Sequence, residues 1–581
     1  MGQGDALKLG RRQLLVAGAM GLAGGVAGCD APPPMLQGGF TDAAHERGHW
    51  LRQPLPQAST APAAIRRTQV LILGGGVAGL AAARRLQQGG VEDFALLDLE
   101  DEPGGNSRAA SIQGIACPLG AHYLPTPPDG NQVLLGFLEQ IGLCRRVAGR
   151  WVYDERHLCH SPQERLFFQG HWQEGLLPVS GVSQATLRQY RQFAQQVQAS
   201  RQGAGFAIPA ASAAMDAAAQ ALDALSMQAW LDQQGLMDPH LRWYLDYCCR
   251  DDFGAGAAQV SAWAGLHYFA SRHGFHAPGD DAPADRDGQD GVLTWPEGNA
   301  WLTRRLAAPL QHRLHTGSVV LRVSEERHAV SVDLWNAAEQ RTERWSAPQV
   351  VLAVPLFIAL RLLAVPPAAL TEAAALMRHA PWLVANLLLE QPLVDGGGAA
   401  PAWDNVLYSP DHARGREPQR GAPPARFALG YVDAMHQSTR PHPGPTVLTA
   451  YWALGGDLPE QGPAQRARLL SEPWSAWAQA VLLNLAPAHP DLPDKVKQVD
   501  LMRYGHAMSV PLPGVRSSAA LAELARGAGR VHFAHSDLAA YSVFEEAFFH
   551  GHAAAWRVLR GDRVTPASTA RSRSHPSAPR G

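Results

Sequence analysis

Gly74, Gly76 and Gly79 recur at the spacing of a phosphate-binding turn, in a Gly-Gly-Gly-Val-Ala-Gly string that starts where the apolar run Gln69–Leu73 stops. In such a turn the first glycine permits the sharp bend, the second lets the backbone approach a pyrophosphate, and the third lets helix and strand pack closely. Ala78, just after Val77, begins the following helical pattern, which runs to Gln88, and free amides at a helix start face negative charge. A chain with 57 glycines produces such a string cheaply, so its context carries the reading. The next buried run, Phe94–Asp98, ends in an acid 24 positions beyond Gly74. A carboxylate there accepts hydrogen bonds from both hydroxyls of an adenosine ribose better than an uncharged side chain. Strand, glycine turn, helix, strand and acid form a βαβ unit expected to bind a dinucleotide; glycine turns without a ligand are the plainer alternative.

The residues after Asp98 narrow the dinucleotide. They bring a second glycine pair, Gly104-Gly105, six residues beyond the acid, followed by Arg108. With this pair the sequence resembles the flavin-containing amine oxidase superfamily, which includes relatives of protoporphyrinogen oxidase and phytoene desaturase. The resemblance implies that FAD is the cofactor and that Gly104, Gly105 and Arg108 contact it. It continues at Gly120-Ala121-His122-Tyr123, similar to the family's D-x-G-A-H segment with Pro118 in place of the aspartate, and at Trp295–Leu302. Ser318–Val323 resembles the adenine-contacting strand, with Val320 as the implied contact. Near the end, Arg530–Asp537 and Tyr541–Ala547 resemble the closing motif, a strand ending in F-A-G-[DE] before a helix under the flavin. Ser536 or Asp537 takes the acidic position there, and Val543 and Phe544 lead into the helix. His535 and Glu546 stand where the family has glycine, which points to a divergent subgroup. Covalent flavin in this family hangs on a late cysteine, and no cysteine follows Cys249, so the FAD is expected to be non-covalent.

Over the flavin, family members commonly carry a lysine linked through water to N5. The comparable segments, Val351–Pro355 and Trp382–Leu389, contain none, and the chain's only lysines are Lys8, Lys495 and Lys497. His506 could move protons near neutral pH, and Tyr504 and Tyr541 could supply an aromatic wall, although each also suits an ordinary loop or core position. Glu545 and Glu546 could attract a cation or simply favour the first turn of a helix. No nucleophilic triad, phosphate-binding P-loop or metal-ligand cluster stands out, so no metal is expected.

The elements that must position these residues belong to an α/β protein of two lobes. A discontinuous Rossmann-type FAD domain is expected from residues 66–128, 290–355 and 498–560, and a mixed helix and sheet substrate domain from 129–289 and 356–497. Residues 1–29 read as an export signal: Arg11-Arg12 precede the uncharged Leu14–Ala27, too short to span a bilayer, and Val26-Ala27-Gly28-Cys29 resembles a lipoprotein cleavage box. Periplasmic membrane attachment through a lipidated Cys29 follows as an expectation. Residues 30–66 read as a linker and 561–581 as a disordered tail. Five further cysteines, an odd number without zinc spacing, suggest no disulfide framework. A formal charge of −2 on 581 residues disfavours a nucleic-acid partner. The leading functional expectation is an exported oxidoreductase taking a hydride from a small or lipid-like molecule, with oxygen or a quinone as electron acceptor. An amine oxidase acting on polyamines or monoamines and a ligand-binding flavin-fold lipoprotein without turnover are the alternatives.

Overall fold

The computed structural model describes residues 36–41, 44–52, 62, 64–202, 205–272, 274–278, 291–409, 425–436, 444–527 and 529–561. Arg11, Arg12, Cys29 and all of the expected tail except Gly561 lie outside the described residues. Among the described residues no helix is long and apolar enough to cross a membrane.

Every residue of Val70–Leu73 and Phe94–Leu97 is buried, as a strand covered on both faces requires. They lie in a five-stranded parallel sheet ordered Leu314–His315, Phe94–Leu97, Val70–Leu73, Gln349–Leu352, Val531–Phe533. Thus the strands ahead of Gly74 and of His535 share a sheet, both beside Gln349–Leu352. The period of two sorts their side chains. Val70 and Ile72 pack with the helices Val77–Gln88 and Phe544–Arg560, while Leu71 and Leu73 pack toward the second sheet. That second sheet is Ser318–Glu325, Val330–Asn336, Arg341–Ala347 and Ala64–Arg67.

The other lobe is an eight-stranded sheet whose long central strand, Arg378–Leu389, pairs with Val496–Val510 on one side and Thr446–Ala453 on the other. Helices from Gln184 to Ala270 cover one face; Gln461–Ser471 and Trp474–Leu485 cover the opposite face.

Two boundaries differ from expectation. Residues 498–510, placed in the FAD domain, belong to the eight-stranded sheet, because their backbone pairs with Arg378–Leu389. Residues 30–66 are not simply a linker. Gln37–Phe40 adds a parallel edge strand to Val496–Val510, and Ala64–Arg67 pairs with Arg341–Ala347. Between them Ala44 N–H donates to Glu100 and Arg47 bonds Asp101 and the Leu99 carbonyl. Four-residue strands held by backbone pairing carry too little hydrophobic periodicity to be read from sequence.

Candidate active site

Gly76 starts the helix Val77–Gln88 without any side-chain cap, so its first amides have no intrahelical acceptor and point into a cavity of about 360 Å³. The glycines fit an extended phosphate there. A Cβ on Gly74, at φ +108°, would lie 2.3 Å from the Ala353 carbonyl oxygen. Gly76 and Gly105 face each other, with a Gly105 Cβ only 3.2 Å from the Gly76 Cα. Asp98 lies at the same cavity, where its Oδ1 accepts from Glu100 N–H at 2.7 Å and its Oδ2 from Gly75 N–H. Burial outweighs these bonds and pushes its carboxyl up to about 6.

Of the residues expected to hold the cofactor, Gly74, Gly76, Val77, Ala78, Asp98, Gly104, Gly105, Ala121, Val320, Ser536, Asp537, Val543 and Phe544 line this one cavity. His506 lines it too, with His379 and His535. Asp537 is fully buried between two imidazoles, 3.1 Å from His379 and 3.2 Å from His535. Burial opposes its charge, yet the imidazoles hold its carboxyl well below the usual range. Gly79 lies beneath the cavity, where a Cβ would meet the Gly74 carbonyl oxygen at 1.8 Å. Arg108 departs from expectation: its guanidinium pairs with Glu100 at 3.0 Å and bonds the Gly105 carbonyl instead of lining the cavity. Gly48 and Leu51, from the stretch read as linker, are unexpected wall residues.

A second cavity of about 130 Å³ opens off the first and shares Asn106, Ala121, Ala507, Ser542, Val543 and Phe544 with it. Gly120, His122, Tyr123 and Tyr504 belong to this inner cavity, not to the cofactor cavity as expected for the first three. His122 stacks on Tyr451 with centroids 4.3 Å apart, and burial lowers its imidazole to about 3, so it is neutral. Tyr504 is pushed up to about 12 by burial. Tyr541 does not line the cavity; its hydroxyl donates to Asp252, whose oxygens lie 3.3 Å from Arg272. Trp382 and Val384 occupy the wall that the central strand presents, and Trp382 Nε1–H is buried without a hydrogen-bond partner among the described residues. Lys495 and Lys497 are bound elsewhere, to Asp491 and Glu390.

The inner cavity continues into an outer one of about 610 Å³ through His122, Tyr123, Asp251, Arg272 and Tyr451. Asp251, Asp252 and Glu545 line the inner part, and Glu164, Glu174 and Asp404 the outer, against the single guanidinium of Arg272. Burial raises several of these carboxyls, Asp251 to about 7, Glu164 to about 6 and Asp404 well above its ordinary value. Aromatic side chains, among them Tyr244, Tyr247, Tyr268 and Trp403, complete the walls. Asp251-Asp252 escaped notice in the sequence, although one signal was available. Both sit in the last turn of the helix Pro239–Phe253, where the helix dipole disfavours an acid.

Parallel sheet, uncapped glycine turn and adjoining substrate-sized cavities define a dinucleotide-dependent oxidoreductase. The model for flavin-containing amine oxidoreductases matches residues 77–559, and the chain belongs to that family. FAD is its cofactor. Among solved structures, putrescine oxidase bound to putrescine is similar at 17% identity and TM-score 0.60, over 85% of this chain and 100% of that one. Cyclohexylamine oxidase from Brevibacterium oxydans IH-35A is similar at 16% identity and TM-score 0.59, over 85% and 99%. A putative protoporphyrinogen oxidase from Exiguobacterium sp. 255-15 matches at 16% identity and TM-score 0.56, also over 85% and 99%. These likenesses concern the fold. No curated protein matches the chain.

Asp98→Ala should weaken FAD binding about tenfold or more, the effect of removing charge-assisted bonds worth roughly 1.5 to 3 kcal/mol. The ribose hydroxyls donate, so they prefer the ionised carboxylate. Because the free protein's Asp98 titrates at about 6, FAD affinity should hold above that pH and fall as pH drops through it. Flavin fluorescence titrations between pH 5 and 8 check both; a pH-independent affinity would argue against the ribose contact.

Proposed function

We propose that the protein is an FAD-dependent oxidoreductase that oxidises an organic amine. The observation that carries this reading is the excess of carboxylates over cations around the two cavities that adjoin the cofactor cavity, combined with their aromatic walls. Buried carboxylates with raised pKa values want a positive partner, and aromatic faces attract a cation desolvated beside them. A lipid-like substrate would leave those acids uncompensated, so this arrangement favours the amine alternative over the leading expectation. FAD, when bound, supplies the hydride acceptor. Asp252, Arg272 and Tyr541 form a buried bonded group beside the inner cavity. Tyr123 O–H donates to Asp251 at 3.4 Å. The chain's residues therefore line the route to the shared wall with carboxyl groups and aromatic faces that would receive an ammonium group.

Anaerobic mixing of the holoprotein with a panel of monoamines, diamines and neutral alcohols tests the reading. Amines should bleach the flavin absorbance, and alcohols should not. Bleaching by neutral compounds alone would reject it. Peroxide release after readmission of air identifies oxygen as electron acceptor, and its lack with turnover restored by a quinone identifies the alternative.

Export and lipidation are part of the same proposal, supported by Arg11-Arg12 and the Val26-Ala27-Gly28-Cys29 box in the sequence. Replacing Arg11-Arg12 by Lys-Lys should leave flavin-loaded precursor in the cytoplasm. Normal lipidated export of that variant would overturn the export route.

A further inference from the structure

Among the acids around the inner cavity, Asp251 and Asp252 are adjacent in sequence but differ in their bonding. Asp252 is 3% exposed and committed on two sides, to the Tyr541 hydroxyl and to Arg272, which fixes it as a counter-ion. Asp251 is partly open, and the space it opens onto is the cavity itself. Among the described residues its side chain's one hydrogen bond is the long contact from Tyr123 O–H. It lines both the inner and the outer cavity, so a ligand passing to the wall shared with the cofactor cavity meets it.

On the reading that the substrate is an amine, we propose that Asp251 accepts the proton of the substrate's ammonium nitrogen before the adjacent carbon–hydrogen bond is broken. The N–H bond breaks, its electron pair stays on nitrogen, and the proton ends on an Asp251 carboxylate oxygen. The freed lone pair can then stabilise the neighbouring carbon as hydride leaves for the flavin, giving an iminium cation. An ammonium ion has no lone pair for this step, so it must lose a proton first, and a carboxylate on its route makes that loss fast at a pH where little free amine exists.

The other candidates serve less well. His122 is an imidazole lowered to about 3, a base roughly four powers of ten weaker than a carboxylate at about 7. Tyr504, pushed up to about 12, is a neutral phenol and no acceptor. Glu545 faces Arg272 and is 3% exposed. The basicity of Asp251 comes first from burial and then from Asp252, while Arg272 and the Tyr123 hydroxyl oppose it. Glu164 also raises it, and the wall phenols of Tyr244, Tyr268 and Tyr451 stay neutral. Its place in the last helical turn disfavours the charged form further.

The sign is fixed: Asp251 must be ionised to accept. Bleaching at limiting amine should therefore rise with pH through about 7 in the wild type. The test uses holoprotein and the panel amine that bleaches it fastest, with a β-fluorinated analogue of lower nitrogen pKa. In Asp251→Asn, bleaching should slow at least about a hundredfold near neutral pH, and its rise should no longer level off above about 7 but continue toward the amine's own pKa, as removal of a general base predicts. The fluorinated analogue should recover part of the rate, a rescue that a merely structural defect would not give. Asp251→Glu should restore the pH dependence in part, and it carries the comparison if the asparagine variant fails to retain flavin. A wild-type rate independent of pH between 5 and 8 overturns the assignment without any variant. So does an Asp251→Asn variant with unchanged pH profile. If no amine bleaches the wild type, the amine reading itself falls and takes this inference with it.

Discussion

Replacing Arg272 by Met should destabilise the protein by about 3 to 5 kcal/mol, the usual cost of stripping one partner from a buried ion pair. Arg272 is the one guanidinium among the acids of the inner cavity, with its side chain 7% and that of Asp252 3% exposed. Methionine matches much of its length but leaves Asp252 charged, buried and held only by the Tyr541 hydroxyl. Glu545 and Asp251 lose the same nearby positive charge. Urea unfolding of wild type and variant at pH 8 and at pH 5 measures the effect. The loss should be smaller at the lower pH, because Asp251, pushed up to about 7 by burial, is then protonated and no longer draws on the guanidinium. Equal midpoints at pH 8 would show that these acids are neutral in the fold, and the argument for a cationic substrate would weaken with them.

Gly79→Ala should yield protein with little flavin, its FAD affinity reduced a hundredfold or more, which is about 2.7 kcal/mol. The added Cβ would sit 1.8 Å from the Gly74 carbonyl oxygen, with the Ala353 side chain 3.4 Å away. The helix start must retreat from the turn, and the amides that face the phosphates retreat with it. Gly90→Ala is the control. That glycine has φ +79° but no neighbour within 4 Å of an added Cβ, so it should cost about 1 kcal/mol of stability and no cofactor. Flavin-to-protein absorbance ratios and FAD titration of both variants decide between a packing role and a general effect of glycine replacement.

Much of the cofactor site was legible in the sequence because local geometry dictates it. A phosphate turn demands glycine where φ is positive or where another backbone comes within van der Waals distance. Gly74, Gly76, Gly79, Gly104 and Gly105 follow from that demand, as does an acid at the end of the next strand. The helix Val77–Gln88 and its strands needed only apolar period and a terminating glycine pair. Helix breaks are less legible: Ala217–Asp223 and Met227–Gln233 are separate helices, the second capped by Ser226, whose hydroxyl accepts from Ala229 N–H. Short segments were harder still. Gln37–Phe40 and Ala64–Arg67 become strands through partners hundreds of residues away in sequence, which no local pattern announces.

The substrate side is decided by tertiary structure alone. Asp251 and Asp252 come from one helix, Arg272 from the turn after another, Tyr541 and Glu545 from the closing segment, and Glu164 and Asp404 from neighbouring strands of the eight-stranded sheet. In sequence each is an ordinary charged residue in a chain whose charges nearly cancel. Their chemistry arises because folding removes them from water together, and burial with like-charged neighbours raises a carboxyl in a way that no spacing along the chain encodes. Arg108 shows the converse. Its position suggested a cofactor contact, but in the fold Glu100 lies close enough to claim its charge.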